Sequence, residues 1–490
     1  FIWIFTKSKT PGTSPQLPPG PRGFPVVGSL PFLDTELHTH FQALSQSYGP
    51  IFKLRLGSKL AVVVSSPTLV REMFKDQDIT FANHDVPLTA RAATYGGIDI
   101  LWMPYGPEWR TLRKVCVLKL LSRQTLDSFY ELRRHEIRQR ARYLYEQARE
   151  GSPVNIGDQM FLTLLDLMVN MLWGETLKRV DEMANLGEEF KQVIAEIVRL
   201  LGEPNVSDFF PWLARFDLQG HVKEMKLSAR KLDEMFNRAI EQCQRVRDDG
   251  NGDCKDFLQH LLKLKEEGDT EVPITTDHIK AMLMDLVTAG TDTSSNVVEF
   301  AMAELINRPE IMKRAQQELD EVIGKDNIVE ESHISKLPYL LAVMKETLRL
   351  HPTIPLLVPH SPTETAIVGG YVIPKGSKVF VNAWAIHRDP NIWENPLEFY
   401  PERFLDESFD FSGNDHSFIP FGSGRRICVG ISLAEKMVMY SLAMLLHSFD
   451  WKIPEGTRFD IEEQFGIVLK LKNPLIAIPM PRLSDSNLYM

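Results

Sequence analysis

The run Pro420-Phe421-Gly422-Ser423-Gly424-Arg425-Arg426-Ile427-Cys428-Val429-Gly430 places glycines on both sides of a cysteine, directly ahead of a helical pattern. Phosphate is the first ligand such a loop suggests. A dinucleotide fingerprint, however, asks for glycine where Ile427 stands and for a strand before the loop, so that reading fails. Glycines at 422, 424 and 430 instead let backbone amides approach one acceptor, the Cys428 sulfur. Those amides, the N-terminus of the helix that follows and a ferric ion would each favour thiolate over thiol. A thiolate is the proximal ligand that pushes electron density toward haem iron and favours O–O cleavage.

A second cluster, Ala289-Gly290-Thr291-Asp292-Thr293-Ser294, gathers poor helix formers in the middle of a helical pattern, at a cost in local stability. Gly290 removes a side chain and lets a flat ligand lie against the backbone. The Thr293 hydroxyl can bond back to the Ala289 carbonyl and loosen the turn. Asp292 beside Thr293 supplies an acid and a hydroxyl, the parts of a proton relay. A bent core helix with satisfied hydroxyls accounts for the same residues, and this segment alone does not choose.

Glu346 and Arg349, three apart on a helix, can pair. Spacing by itself means little, because Glu131/Arg134, Glu146/Arg149 and Glu196/Arg199 share it and read as solvated surface pairs. Glu346 differs in its apolar helix (Leu340, Leu341, Val343, Met344, Leu348), where a partly buried ion pair demands further partners. Arg403, in Pro401-Glu402-Arg403-Phe404, is the candidate third member.

The elements that must position these residues are mostly helical. One helical pattern runs from about Thr276 to Asn307, stopping before Pro309. At 1.5 Å per residue it is about 48 Å long, enough to cross a whole domain. Helical patterns dominate from Pro107 to about Leu350, broken near Pro204–Pro211 and Asp248–Asp256. Ile51–Leu56 and Leu60–Val64 flank a Gly57-Ser58 turn and predict a hairpin. Ser66 then N-caps a helix with Pro67 at its first position. After Pro352 the chain turns short-stranded and proline-punctuated until a helix begins near Gly430. The expected fold is mainly α, a large helical body with a small β-rich region drawn from both ends.

Composition narrows the partners. The 490 residues carry a net charge of −10 with no long basic stripe, which argues against nucleic acid. None of the four cysteines stands as C-x-x-C, so neither a zinc site nor a disulfide framework is expected. Cys116, Cys243 and Cys254 read as fillers in a reducing compartment. Phe1 to Phe5, followed by Lys7 and Lys9, read as the remnant of an N-terminal membrane anchor over residues 1–10, since five apolar residues cannot span a bilayer that needs about 20. Consecutive prolines over 11–25 make a stiff hinge, and 26–490 form one catalytic domain.

Taken together, Phe421, Gly424, Arg426, Cys428 and Gly430, the AGTDTS run, Glu346/Arg349, the PERF run, the W-x-x-x-R pair Trp109/Arg113 and the proline hinge resemble the cytochrome P450 superfamily in order and spacing. The resemblance covers the chain from Leu17 to its end. Its wording is similar to the plant microsomal branch containing flavonoid hydroxylases and sesquiterpene oxidases. It implies a P450 fold carrying haem b, with Cys428 as axial ligand and Trp109, Arg113, His360 and Arg426 at the propionates. Many plant relatives carry Arg where His360 stands, so pairing there depends on protonation. The resemblance further implies Thr293 as the alcohol that steadies bound dioxygen, Asp292 behind it, and Glu346, Arg349 and Arg403 as a structural triad.

The implied reaction takes electrons from NADPH through a flavoprotein reductase and inserts one atom of O2 into an apolar substrate. Arg110, Lys114, Arg425 and Lys436 are candidate docking charges, with ordinary solvated cations as the alternative. The implied place is the endoplasmic reticulum membrane, catalytic domain facing cytosol. By the same resemblance, the pocket is lined by Ile98, Leu101, Phe209, Phe210, Ala289, Gly290, Ile354, Leu356, Phe465 and Ile467, residues that suit a flat apolar molecule or a plain core. The substrate reading leans to ring hydroxylation of a flavonoid or related phenolic over a sesquiterpene. A haem-thiolate isomerase or dehydratase, which tends to lose the relay threonine, and a non-enzymatic haem carrier or gas sensor are the rivals. Asn205-Val206-Ser207, a formal glycosylation sequon, is treated as noise.

Overall fold

One long helix, Thr276–Asn307, organises the molecule. In the computed structural model, residues 15–177, 184–248, 256–268, 270–406, 409–457 and 459–490 are described. The helix is started by Thr275, whose hydroxyl accepts the His278 amide at 3.1 Å while His278 Nδ1 accepts the Thr275 amide at 3.2 Å. This reciprocal pair satisfies donors that every helix start leaves free. Pro309 opens the next helix, Pro309–Val322.

The two halves of the long helix belong to different cores. Ile279, Met282, Leu283 and Val287 pack into a cluster with helices Ile156–Leu177, Ala184–Gly202 and His221–Asp248. Val298, Phe300, Ala301 and Leu305 pack into another, with helices Pro338–Leu350 and Ile431–Ser448. A fully buried large apolar side chain contributes roughly 1.5–3 kcal/mol. Several at each end outweigh a central run whose glycine costs about 1 kcal/mol and whose polar residues cost less. The weak middle is therefore held in helical form by its ends.

Strands from both ends of the chain form one five-stranded sheet. Ile51–Leu56, Lys59–Val64, Lys378–Val381, His360–Ser361 and Asn83–His84 lie side by side in that order. The first two make an antiparallel hairpin, Ile51 opposite Val64. Val62 pairs parallel with Val379, a connection that must be closed by a long crossover, here the helical body itself. The mainly α body with a small β region drawn from both ends is what the structure shows.

Local details differ from the sequence reading in instructive ways. Ser66 precedes the helix Pro67–Arg71, but its hydroxyl makes no capping bond. The proline segment is docked rather than free: the Lys53 amide donates to the Pro19 carbonyl at 2.8 Å and the Val372 amide to the Gln16 carbonyl at 2.9 Å. Arg134 pairs with Glu330 at 2.9 Å, not with Glu131. Arg142 takes Glu146 at 3.4 Å, whereas Glu196 and Arg199 do pair, at 2.7 Å on the surface. Cys116 and Cys243 are buried in the apolar core. The anchor remnant of residues 1–10, the first part of the hinge (11–14) and Cys254 lie outside the described residues.

Candidate active site

The cysteine loop is closed by its own backbone. The Cys428 amide donates to the Phe421 carbonyl at 3.0 Å, and the Phe421 ring packs edge-on against Phe411 at 5.4 Å. Gly430, N-cap of the helix Ile431–Ser448, sends its amide to the sulfur at 3.3 Å. The other two glycines do not approach the sulfur as expected. Gly422 donates to the Ile419 carbonyl at 3.0 Å, and Gly424, at φ +70°, lies so close to the Phe74 carbonyl that an added Cβ would stand 2.6 Å from it. Their part is to turn the chain. Burial pushes the Cys428 thiol up in pKa, opposed by the Gly430 amide and the Arg113 charge. Burial of the sulfur weighs against the thiolate, while the Gly430 amide, the Arg113 charge and a bound iron would each favour it. The side chain is nonetheless open to approach.

Around the loop stands a group of cations without counter-charges. Arg426 lies over the Trp109 ring at 4.4 Å and Arg113 over the same ring at 5.3 Å. Arg426 donates to the carbonyls of Ala82, Ile100 and Met103, Arg113 to Ile427 at 2.6 Å, and Trp109 Nε1 to Ile100 at 2.9 Å. Among the described residues neither guanidinium has a carboxylate partner. Burial first, and then repulsion from Arg113, brings Arg426 down to about 10. Buried charges are ordinarily paired. Two unmatched guanidiniums beside an open sulfur fit an iron porphyrin, whose two carboxylates would supply the missing negative charge.

His360 does not join them as a cation. Its Nδ1 lies 2.6 Å from the Phe81 carbonyl, which can only accept, so Nδ1 carries the proton. Burial, with a smaller push from Arg426, lowers its pKa to about 4. With no carboxylate beside it the ring is neutral near pH 7, and a carboxylate brought against it would raise that value. His360 is buried in the sheet beside His84, 4.8 Å away, and pairing with a propionate there depends on its protonation.

On the long helix, Thr293 Oγ1 donates to the Ala289 carbonyl at 2.5 Å. Ala289 is exposed and Thr293 half-buried, in a helix otherwise almost wholly buried. Gly290 is turned elsewhere: a Cβ there would meet the Met168 thioether at 3.3 Å, so its missing side chain admits the neighbouring helix, not a flat ligand. Asp292 points to a different side from Thr293, as successive helical residues about 100° apart must. Its Oδ1 pairs with Lys470 Nζ at 2.9 Å, while among the described residues nothing donates to its buried Oδ2.

Glu346 and Arg349 are fully buried. Arg349 bonds Glu346 through two nitrogens, at 2.7 and 2.8 Å, and its remaining donors reach the carbonyls of His387, Pro396 and Glu398. Arg403 Nε meets Glu346 at 3.1 Å, and the Tyr400 amide adds a fourth contact at 2.7 Å.

The candidate pocket residues fall into separate groups. Phe209 and Phe465 pack with Leu356 in one apolar cluster beside the hairpin. Phe465 and Ile467 also line a cavity of about 570 Å³ that Asp292, Ser295 and Glu299 close from the long helix. Ile98 joins the cluster of the helix's N-terminal half. Ile354 is half-buried, and the Leu101 carbonyl accepts from His84 Nδ1 at 2.8 Å. Phe210 lies outside all of these, against Gly57 and edge-on to the exposed Trp212 at 5.4 Å. Of the four docking candidates, Arg425 pairs with Asp78, Lys114 with Glu271 and Lys436 with Asp127, while Arg110 is exposed.

Residues 18–478 match the family model described as cytochrome P450. The chain belongs to the cytochrome P450 family. It is 43% identical over 494 residues to flavonoid 3'-monooxygenase of Crocosmia x crocosmiiflora, across 99% of this chain and 96% of the relative. A flavonoid 3',5'-hydroxylase of Campanula medium is 40% identical, covering 96% and 92%, and geraniol 8-hydroxylase of Catharanthus roseus is 39% identical, covering 95% and 94%. A zebra fish cytochrome P450 solved with progesterone superposes with a TM-score of 0.78 at 28% identity, over 91% of this chain and 99% of that one. This P450 is a haem monooxygenase that uses haem b, dioxygen and electrons delivered from NADPH by a reductase.

The sequence reading of this P450 missed an acid pair, the buried Asp99 and the half-buried Asp285, and His84 of the strand Asn83–His84, which bonds the Leu101 carbonyl. Its signal was present. Asp285 is an acid set among Met282, Leu283, Leu286 and Val287, and Asp99 lies between two isoleucines.

Proposed function

We propose that this P450 hydroxylates an aromatic ring of a flavonoid or related phenolic. The supporting observation is the near full-length likeness to flavonoid 3'- and 3',5'-hydroxylases at 40–43% identity, alongside the apolar cluster of Phe209, Leu356 and Phe465. Geraniol 8-hydroxylase at 39% keeps a terpenoid substrate as the second reading.

Bound haem supplies the reductive splitting of dioxygen and the transfer of one oxygen atom to substrate. The chain's residues hold and serve it. Cys428 would hold the iron through its sulfur, steadied by the Gly430 amide. Arg113, Arg426 and the Trp109 indole would hold its propionates. Asp292, at the wall of the 570 Å³ cavity, exchanges protons with water there, and Thr293 Oγ1 is the hydroxyl of the relay on the neighbouring side of the helix. Glu346, Arg349 and Arg403 keep the proximal side rigid.

We also propose that the catalytic domain faces cytosol from the endoplasmic reticulum membrane, held by an N-terminal anchor. Phe1–Phe5 with Lys7 and Lys9 support this. Among the described residues no helix is long and apolar enough to cross a membrane.

The deciding experiment is turnover with NADPH and a plant reductase against flavonoids and monoterpene or sesquiterpene alcohols, products read by mass. A flavonoid gaining one oxygen atom supports the first reading. Oxygen entering only terpenoids replaces it. Cys428→Ala must abolish the shifted carbon monoxide spectrum in either case.

A further inference from the structure

Two carboxyl groups meet inside this protein outside the set already described. Asp99 is fully buried in the loop before the helix Pro107–Val115, and Asp285 stands on the long helix one turn ahead of Ala289. Asp285 Oδ2 accepts the Ile100 amide at 2.8 Å, and Asp99 Oδ1 accepts the Trp102 amide at 3.2 Å. The two side chains are in hydrogen-bonding contact with each other, yet among the described residues no group donates to the buried Asp99 Oδ2. A carboxylate has only acceptors, so two of them in contact need a proton between them.

The loop these acids clasp is a junction. Ile100 gives its amide to Asp285, and its carbonyl receives both Trp109 Nε1 and Arg426 Nη1 at 2.9 Å. Met103 takes a further nitrogen of Arg426, and Leu101 takes His84. One short segment thus joins the long helix, the Trp109 helix and the cysteine loop.

We infer that Asp99 and Asp285 share one proton, and that this proton-bridged pair is a positioning device that holds loop 98–103 on the long helix and releases it when the proton is lost. The other ionisable groups facing the pair are Arg426, whose charge acts on Asp99, and Cys116, whose charge would act on Asp285. Cys116 stays a thiol, pushed up to about 12 by burial. Burial raises both acids, Asp285 to about 6 and Asp99 well above the carboxylate range. Acids raised in this way bind protons more tightly in the folded state. The clasp is complete at low and neutral pH and is lost as pH rises through the folded values. The consequence for substrate rests on the proposed pocket, because Ile98 and Leu101 flank the clasp. The proton itself does not depend on that reading.

The test uses haem-loaded protein labelled with carbon-13 at aspartate side-chain carboxyls. Infrared spectra should show a protonated aspartic acid carbonyl band at neutral pH, lost in both Asp99→Asn and Asp285→Asn and in wild type at alkaline pH. Hydrogen exchange, corrected for intrinsic rate, should show protection of the Ile100 and Leu101 amides in wild type falling by about tenfold per pH unit above that titration. Asp99→Asn, whose amide donates to Asp285 without titrating, should keep its protection across the same range. A neutral-pH spectrum without the protonated band overturns the inference, whether or not the variants fold. So does a loop whose protection falls equally in wild type and Asp99→Asn. Failure to bind or oxidise flavonoids would move neither readout.

Discussion

Lys470 Nζ stands 2.9 Å from Asp292 Oδ1, tying the acid beside Thr293 to a strand far along the chain, while among the described residues nothing donates to the buried Asp292 Oδ2. A carboxylate so placed has one oxygen neutralised and one shut away from solvent, in a residue that lines a cavity of about 570 Å³.

If that acid carries protons, Asp292→Asn lowers product formation by about 10²-fold, within the range for a positioned acid or base. Substrate-induced spectral shifts should keep the same affinity. NADPH would be consumed without equivalent product, so the ratio of product to NADPH is the measurement. An unchanged ratio removes Asp292 from the relay.

The triad should behave as scaffold. Arg349→Ala leaves the fully buried Glu346 with only Arg403 and the Tyr400 amide, both on one of its oxygens, a change that costs about 3–5 kcal/mol. Thermal unfolding of the haem-bound protein should show a large loss of stability. Arg403→Ala leaves the two-nitrogen Arg349 contact in place and should cost less. Equal losses would mean the two arginines are not ranked as their contacts imply.

Two glycines separate space from backbone. Gly424→Ala places a Cβ at φ +70° and 2.6 Å from the Phe74 carbonyl, so it should lower stability by more than about 1 kcal/mol and reduce haem content. Gly290→Ala meets only the flexible end of Met168 at 3.3 Å. It should leave the spectrum of the haem unchanged and shift the thermal midpoint by a few degrees at most. A spectral change in Gly290→Ala would return that residue to the ligand face.

His351 gives a pH dependence of known sign. Its two nitrogens meet Glu463 at 2.6 Å and Glu304 at 2.8 Å, and despite desolvation those acids raise its pKa. A raised histidine contributes stability that is complete below its unfolded value near 6.5 and is lost as pH rises through the folded value. Denaturation midpoints should therefore decline from neutral into alkaline pH, with a shallower slope in His351→Gln. The partner Glu463 is held low by the same contacts and works oppositely, losing its contribution in acid.

The sequence by itself determined what is local or stereochemically forced. The span Thr276–Asn307, the hairpin and the Thr293 back-bond follow from apolar period, proline stops and the reach of a hydroxyl across one helical turn. The cysteine loop was legible because few folds need those glycines around one thiol, which made the family recognisable. Only the tertiary structure decided the partners that come from distant segments. Lys470 for Asp292, the Phe81 carbonyl that fixes the neutral His360, Met168 facing Gly290 and Asp99 meeting Asp285 are separated by many residues along the chain. No spacing rule encodes such pairs. They exist because two cores clamp the long helix at its ends, leaving its polar centre to bond with whatever the packing carries there.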